Sequence, residues 1–109
     1  MKVLLLNTTI LTGGAGEYHL LPLSVENAKG LIARDGYESA IGHQATADIL
    51  SILLETPIAV NRVAAKQLPR QMAIVFKLRG RLEEGKILTS VEELEAIGYD
   101  LFCLTYRVD

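Results

Sequence analysis

The chain alternates between short apolar runs and longer amphipathic stretches, and that rhythm predicts its elements. Residues 3–6 are four consecutive aliphatic positions, the mark of a strand covered on both faces. Residues 7–16 are polar and glycine-bearing and read as a loop, and a brief strand over 18–21 ends at Pro22. Ser24 stands where it caps a helix running to about Arg34, which Asp35-Gly36 stops. Residues 39–41 read as a short strand. Over 44–55, Ala47, Leu50 and Leu54, with Ile49 and Leu53 beside them, recur at helical spacing and form one apolar face. Pro57 ends that helix.

In the second half, residues 58–65 read as a strand with a break at Asn61-Arg62, and 68–71 as a turn. Residues 72–78 are nearly all apolar and predict the central strand. A charged loop follows over 79–86. Ser90 and Glu93 have the spacing of a capping box, opening a short helix that Gly98 closes before a last strand over 99–107. There is no internal repeat, low-complexity tract or linker. The order of elements predicts one small α/β domain over residues 1–109, a mixed β-sheet flanked by helices.

Composition narrows the function. The 109 residues suit one domain, and half are hydrophobic, so a core forms and disorder is not expected. With no tryptophan, that core is aliphatic. A formal net charge of −2 argues against coating long DNA or RNA, but it permits a small anionic ligand held by a few arginines. The single cysteine, Cys103, lies in an apolar run and reads as a small buried hydrophobe, which points to a reducing cytoplasm. The apolar start is too short for a signal segment, and no stretch is long enough to span a bilayer, so no membrane partner is expected.

Candidate chemistry begins at Ser39-Ala40-Ile41-Gly42-His43. This run puts one of two histidines at the mouth of the second predicted helix. Unpaired N–H groups at a helix start attract phosphate, and histidine is suited to donate a proton near neutral pH. His43 therefore reads as a general acid beside a phosphodiester, or as a plain helix cap. Arg81 and Glu84 lie in the charged loop. Either they are a solvated hairpin, or Arg81 holds a phosphate and Glu84 orients it, orients the histidine or polarises a ribose hydroxyl. Gly85 would let the backbone turn close to a ligand, and Lys77, Arg79 and Lys86 add positive charge. Asn61-Arg62 reads equally as a strand bulge or a second ligand contact. Asn7, Thr8 and Thr9 follow the first strand, where α/β sheets often hold ligands, though plain turn chemistry also explains them. Gly13-Gly14-Ala15-Gly16 lacks the residues of a phosphate loop and reads as a flexible loop. His19 is given no role. Two distant histidines and one apolar cysteine do not make a metal site, and no cofactor is implied.

Taken together, four segments resemble the type III CRISPR ring nucleases that act as viral and prophage anti-CRISPR proteins. The segments are Leu6-Asn7-Thr8-Thr9, Ser39-Ala40-Ile41-Gly42-His43-Gln44-Ala45-Thr46, Asn61-Arg62-Val63 and Arg81-Leu82-Glu83-Glu84-Gly85-Lys86-Ile87-Leu88. The resemblance implies a homodimer that binds cyclic tetra-adenylate at its interface. It implies cleavage without a metal to linear di-adenylate with a 2′,3′-cyclic phosphate, which shuts off type III CRISPR signalling. The host-cell cytoplasm would be the setting for a viral member. The catalytic positions implied are His43, Arg81 and Glu84. Asn7, Thr46 and Arg62 fall on ligand-contact positions, Thr8, Thr9, Gly42 and Lys77 are further candidates, and the 9–17 loop does not transfer a contact. Two other readings compete: a module that sequesters a cyclic oligonucleotide without cutting it, and a small dimeric regulatory protein.

Overall fold

A computed structural model describes residues 1–80 and 90–109. Five strands and three helices follow one another as β1 (Val3–Leu6), β2 (Glu17–Pro22), α1 (Val25–Asp35), β3 (Tyr37–Ser39), α2 (Gln44–Leu54), β4 (Ala73–Leu78), α3 (Val91–Ile97) and β5 (Tyr99–Arg107). The strands form one sheet in the order β2-β5-β4-β1-β3. β1 pairs in parallel with β3 and β4, whereas β5 runs antiparallel to β4 and β2. The mixed sheet expected from the element order is therefore present, with 72–78 supplying its middle strand.

Strand alternation divides the core. Val3 and Leu5 of β1, Ile74 and Phe76 of β4 and Leu101 of β5 project to the side covered by the helices. There they meet Ala28 and Ile32 of α1, Ala47, Ile49, Leu50, Leu53 and Leu54 of α2, and Leu94 of α3. All five apolar positions expected of α2 are buried. Each large one contributes about 1.5–3 kcal/mol on leaving water. Leu4, Leu6, Ala73, Val75 and Leu104 project to the opposite side, where Tyr18, Ala40, Ala65 and Phe102 pack on them.

That second face is covered by chain rather than by helix. Gln67 is fully buried, and its side-chain amide donates to the carbonyls of Gln71 and Leu104. The amide of buried Gln71 donates to Lys2 O, and its oxygen accepts from the Leu68 N–H. The two glutamines thereby give partners to backbone groups of Lys2, Leu68 and Gln71, which lie outside the strand pairing, and add one to Leu104 O at the end of the β4–β5 ladder.

The sequence reading needs three corrections. First, residues 58–65 form no strand. The segment passes outside edge strand β3 and is tied there by side chains: the Tyr37 hydroxyl donates to Pro57 O and the Ser39 hydroxyl to Ala59 O. Only the Asn61 N–H reaches across to a backbone carbonyl, that of Ile41. Second, the third strand is Tyr37–Ser39, earlier than expected, because its register is set by β1, with Val3 opposite Tyr37 and Leu5 opposite Ser39. Third, the glycine-rich loop is pinned. Tyr18 and Tyr106 stack with centroids 4.5 Å apart. The Tyr18 hydroxyl accepts from Gly13 N and donates to Gly14 O, and the Tyr106 hydroxyl lies 2.9 Å from Gly13 O and Ala15 O. A Cβ on Gly13 would stand 2.4 Å from the Tyr106 ring, so glycine is what lets the loop lie against it.

Candidate functional site

Three parallel strands end on one side of the sheet, and the residues after β1 and β3 meet there. The Ala40 N–H donates to Leu5 O, extending the pairing past β3 and placing Ala40 beside the end of β1. Leu6 ends β1, Asn7, Thr8, Ile10 and Thr12 follow it, Ala40 follows β3, and Val63, Ala64 and Ala65 come from the segment before β4. They line an open pocket of about 300 Å³. A position beyond the carboxyl ends of parallel strands is where α/β folds commonly hold ligands.

α2 begins at this end, and its start differs from those of the other helices. Ser24 caps α1 and Ser90 caps α3, each accepting a backbone N–H, and each of these helices carries a carboxylate in its first turn. At α2 the N-cap is His43, whose side chain makes no capping bond, and the first turn has no acid. The first helical bond runs from the Ala47 N–H to His43 O. The N–H groups of Gln44, Ala45 and Thr46 therefore point out of the helix with their partial positive charge uncompensated by a side chain of the cap. Asp48, one turn further on, is engaged by the Gln44 amide at 2.8 Å.

Arg62 packs its aliphatic stem against the residue just before that cap. Its Cγ lies 3.4 Å from where a Cβ on Gly42 would be, so the side chain runs across the glycine that precedes His43. This contact is built by neighbouring residues. The Asn61 side-chain amide donates to Ser39 O at 2.9 Å, and the Asn61 N–H donates to Ile41 O at 2.8 Å. Ser39 is buried, and its hydroxyl accepts from the Ile41 N–H while donating to Ala59 O. The 59–62 segment is thus bonded to the 39–42 segment from both sides, and Arg62 has little choice but to lie over Gly42. Ser51 anchors the approach, accepting from the Ile58 N–H and donating to Ala47 O.

Asn7 and Thr8 thus line the pocket, Gly42, His43 and Thr46 lie at the start of α2, and the Arg62 stem packs against Gly42. Thr9 is exposed and directly follows the lining residues. Lys77 does not join them: it is exposed on β4 opposite Asp100, whose carboxyl is held below its usual range first by the Arg79 guanidinium and further by Lys77. Arg81 and Glu84 lie outside the described residues. His19 sits on β2, 3.1 Å from Glu17. Cys103 is half-buried, and burial pushes its thiol pKa up, away from thiolate chemistry. The sequence reading did not find the supporting role of Ser39. The only available signal was a small polar residue directly before the apolar pair Ala40-Ile41.

Among the described residues, no three His, Cys, Asp or Glu side chains gather closely enough to hold a metal ion, and no helix is long and apolar enough to cross a membrane. Fold and site together define a small mixed α/β domain whose α2 starts without a side-chain cap at the carboxyl end of its parallel strands, with Arg62 packed on the glycine before it. The chain belongs to the STIV B116-like family, whose model matches residues 3–101. It is similar to protein ORF117 of Acidianus two-tailed virus, 39% identical over 102 residues that cover 90% of this chain and 87% of that one. It is also similar to protein 26 of Sulfolobus islandicus filamentous virus, 38% identical over 77% of this chain and 71% of the relative. Bacillus subtilis YddF is 34% identical over the full length of both chains. In structure the chain is similar to B116 of Sulfolobus turreted icosahedral virus, with a TM-score of 0.81 and 26% identity over 96% of this chain and 99% of that one.

Proposed function

We propose that this protein is a metal-independent ring nuclease that binds cyclic tetra-adenylate at a dimer interface. It cuts the ring to linear di-adenylates ending in a 2′,3′-cyclic phosphate, and so silences type III CRISPR signalling in the cytoplasm where the messenger is made. The observation that carries this reading is Arg62 lying across Gly42, beside an uncapped α2 whose N-cap is His43. In this reading the start of α2 is the anion site and His43 the proton donor.

In the proposed step a ribose 2′-hydroxyl attacks its own 3′-phosphorus and gives up its proton to solvent water, the P–O5′ bond breaks, and His43 protonates the departing O5′. The attack is intramolecular, so holding the sugar and phosphate in line supplies much of the acceleration. Arg62 and the α2 N–H groups bind the phosphate. The resemblance adds Arg81 to stabilise its developing charge and Glu84 to orient the machinery. A four-fold ring cut on opposite sides suits an isologous dimer, with one His43 per half. Exposed Ile10 and Val63 at the pocket, with exposed Leu11 next to Ile10 in the chain, are apolar surface suited to a second copy. The similarity to several viral proteins fits a role against a host defence.

The test is product analysis by mass spectrometry after incubating the protein with cyclic tetra-adenylate in excess EDTA. Linear di-adenylate with a cyclic phosphate end is expected. Tight binding with an intact ring would make the protein a sequestering module instead, and no binding would overturn the reading.

A further inference from the structure

A second cavity, of about 330 Å³, lies on the same face of the sheet and shares a wall with the first. Ala40, Val63, Ala64 and Ala65 line both. Its remaining lining comes from Leu4, Glu38, Ser39, Asn61 and Lys66. Glu38 is directly opposite Leu4 in the parallel β1–β3 pairing, so both side chains leave the sheet on the side away from the helices. The cavity thus has an apolar floor and wall from Leu4 and the alanines, a carboxylate from β3 and an ammonium from the 61–66 segment. Neither Glu38 nor Lys66 makes an ion pair or a side-chain hydrogen bond with a described residue. Asn61 and Ser39, in contrast, are engaged with each other's segments. A cavity that sets apolar side chains beside one acceptor and one donor suits a purine, whose edge carries an exocyclic amine next to a ring nitrogen.

We propose that this cavity holds an adenine ring of the bound ligand, with the Glu38 carboxylate accepting from the exocyclic amine and the Lys66 ammonium donating to a ring nitrogen. The adenine assignment rests on the function proposed above. Ala40 and Val63 stand in the wall shared by the two cavities and neighbour Gly42 and Arg62 in the chain, so in this proposal a nucleotide whose phosphate lies at α2 directs its base along that wall. Glu38 is then the group that reads the base. A ligand with a carbonyl in place of the amine sets an acceptor against a carboxylate, and such mismatches cost more than a lost contact alone.

The experiment uses the His43→Ala protein, in which cleavage is stopped, with and without Glu38→Gln. Equilibrium binding is measured with cyclic tetra-adenylate and with cyclic tetra-inosinate, which replaces each amine by a carbonyl. With Glu38 in place, the adenylate ring is expected to bind at least about tenfold more tightly. Glu38→Gln should narrow that preference to less than about threefold, because a carboxamide donates to the carbonyl as readily as it accepts from the amine. Glu38 is exposed, so thermal melting should be unchanged. Binding of cyclic tetra-adenylate with an undiminished preference in Glu38→Gln would overturn the base-reading role and leave the function standing. Failure to bind either ring would overturn both.

Discussion

Arg62 and Gly42 are in contact across two connections of the fold: the arginine Cγ lies 3.4 Å from the place a Cβ would occupy on the glycine. At that distance an alanine fits with a small shift of a flexible side chain, whereas a branched residue does not. Gly42→Val should therefore push Arg62 off the start of α2 and weaken cyclic tetra-adenylate binding by about tenfold, the scale of one charge-assisted contact. Gly42→Ala should bind within about threefold of the wild type. Isothermal titration with a cleavage-deficient background separates the two.

Ser39 is the hidden support of that contact. Its buried hydroxyl joins the Ile41 N–H to Ala59 O, and its carbonyl accepts from Asn61. Ser39→Ala leaves a buried donor and an acceptor without partners, which costs about 1–3 kcal/mol. Chemical denaturation should show that loss, and binding should fall with it because Arg62 is no longer held in place.

The tyrosine pair gives a prediction confined to stability. Tyr106→Phe keeps the stack on Tyr18 but removes the hydroxyl that engages Gly13 O and Ala15 O. A loss of about 0.5–1.5 kcal/mol is expected, with proteolysis near residues 13–16 becoming faster. Gly13→Ala should be far worse, since its methyl would stand 2.4 Å from the Tyr106 ring and 2.7 Å from Gln67 O.

Arg70 adopts φ 71° at the third position of the 68–71 turn, after Pro69, and the Gln71 N–H closes the turn on Leu68 O. A side chain there costs about 1–2 kcal/mol, partly offset by glycine's larger unfolded-state entropy. Arg70→Gly should raise stability by about 0.5–1 kcal/mol, whereas Arg70→Val should lower it. Melting temperatures of the two variants test the sign.

Several carboxyls have lowered pKa values: Glu17 through His19 and then Arg107, Asp35 through Arg34, Glu55 through Lys29 and Asp100 through Arg79. A depressed native pKa gives stability above the unfolded value that is lost as pH falls through the native one. Their contribution should hold above about pH 5 and fade below about pH 4, the ordinary carboxylate range. The pairs are at the surface, so the fall should be shallow and smaller still in high salt. Melting scans from neutral to acid pH, at low and high salt, check both the sign and the screening.

Much of the fold was legible because it rests on local signals. Ser24 and Ser90 each cap the helix the sequence assigned to them, and the α2 stripe and the aliphatic run of β4 are buried as their spacing indicated. Residues 58–65 misled because an apolar run says nothing about whether a pairing partner exists; here Tyr37 and Ser39 take the place of a ladder. The pinned loop depends on Tyr106, about ninety residues away in sequence, and so could not be read locally. Of the candidate positions, Arg62 packs against Gly42, the residue before His43, Lys77 stays apart beside Asp100, and Glu38 was invisible until the β1–β3 register placed it next to Leu4.

The central claim is that His43 is the acid of a metal-independent cleavage. It is tested most directly by following labelled cyclic tetra-adenylate in excess EDTA with wild type and His43→Ala side by side, with binding measured for both. General acid catalysis contributes about 10²–10⁴ in rate, so the wild type should form linear di-adenylate at least about a hundredfold faster while the variant binds the ring comparably. Equal cleavage by the two proteins, or none by either, would contradict the claim.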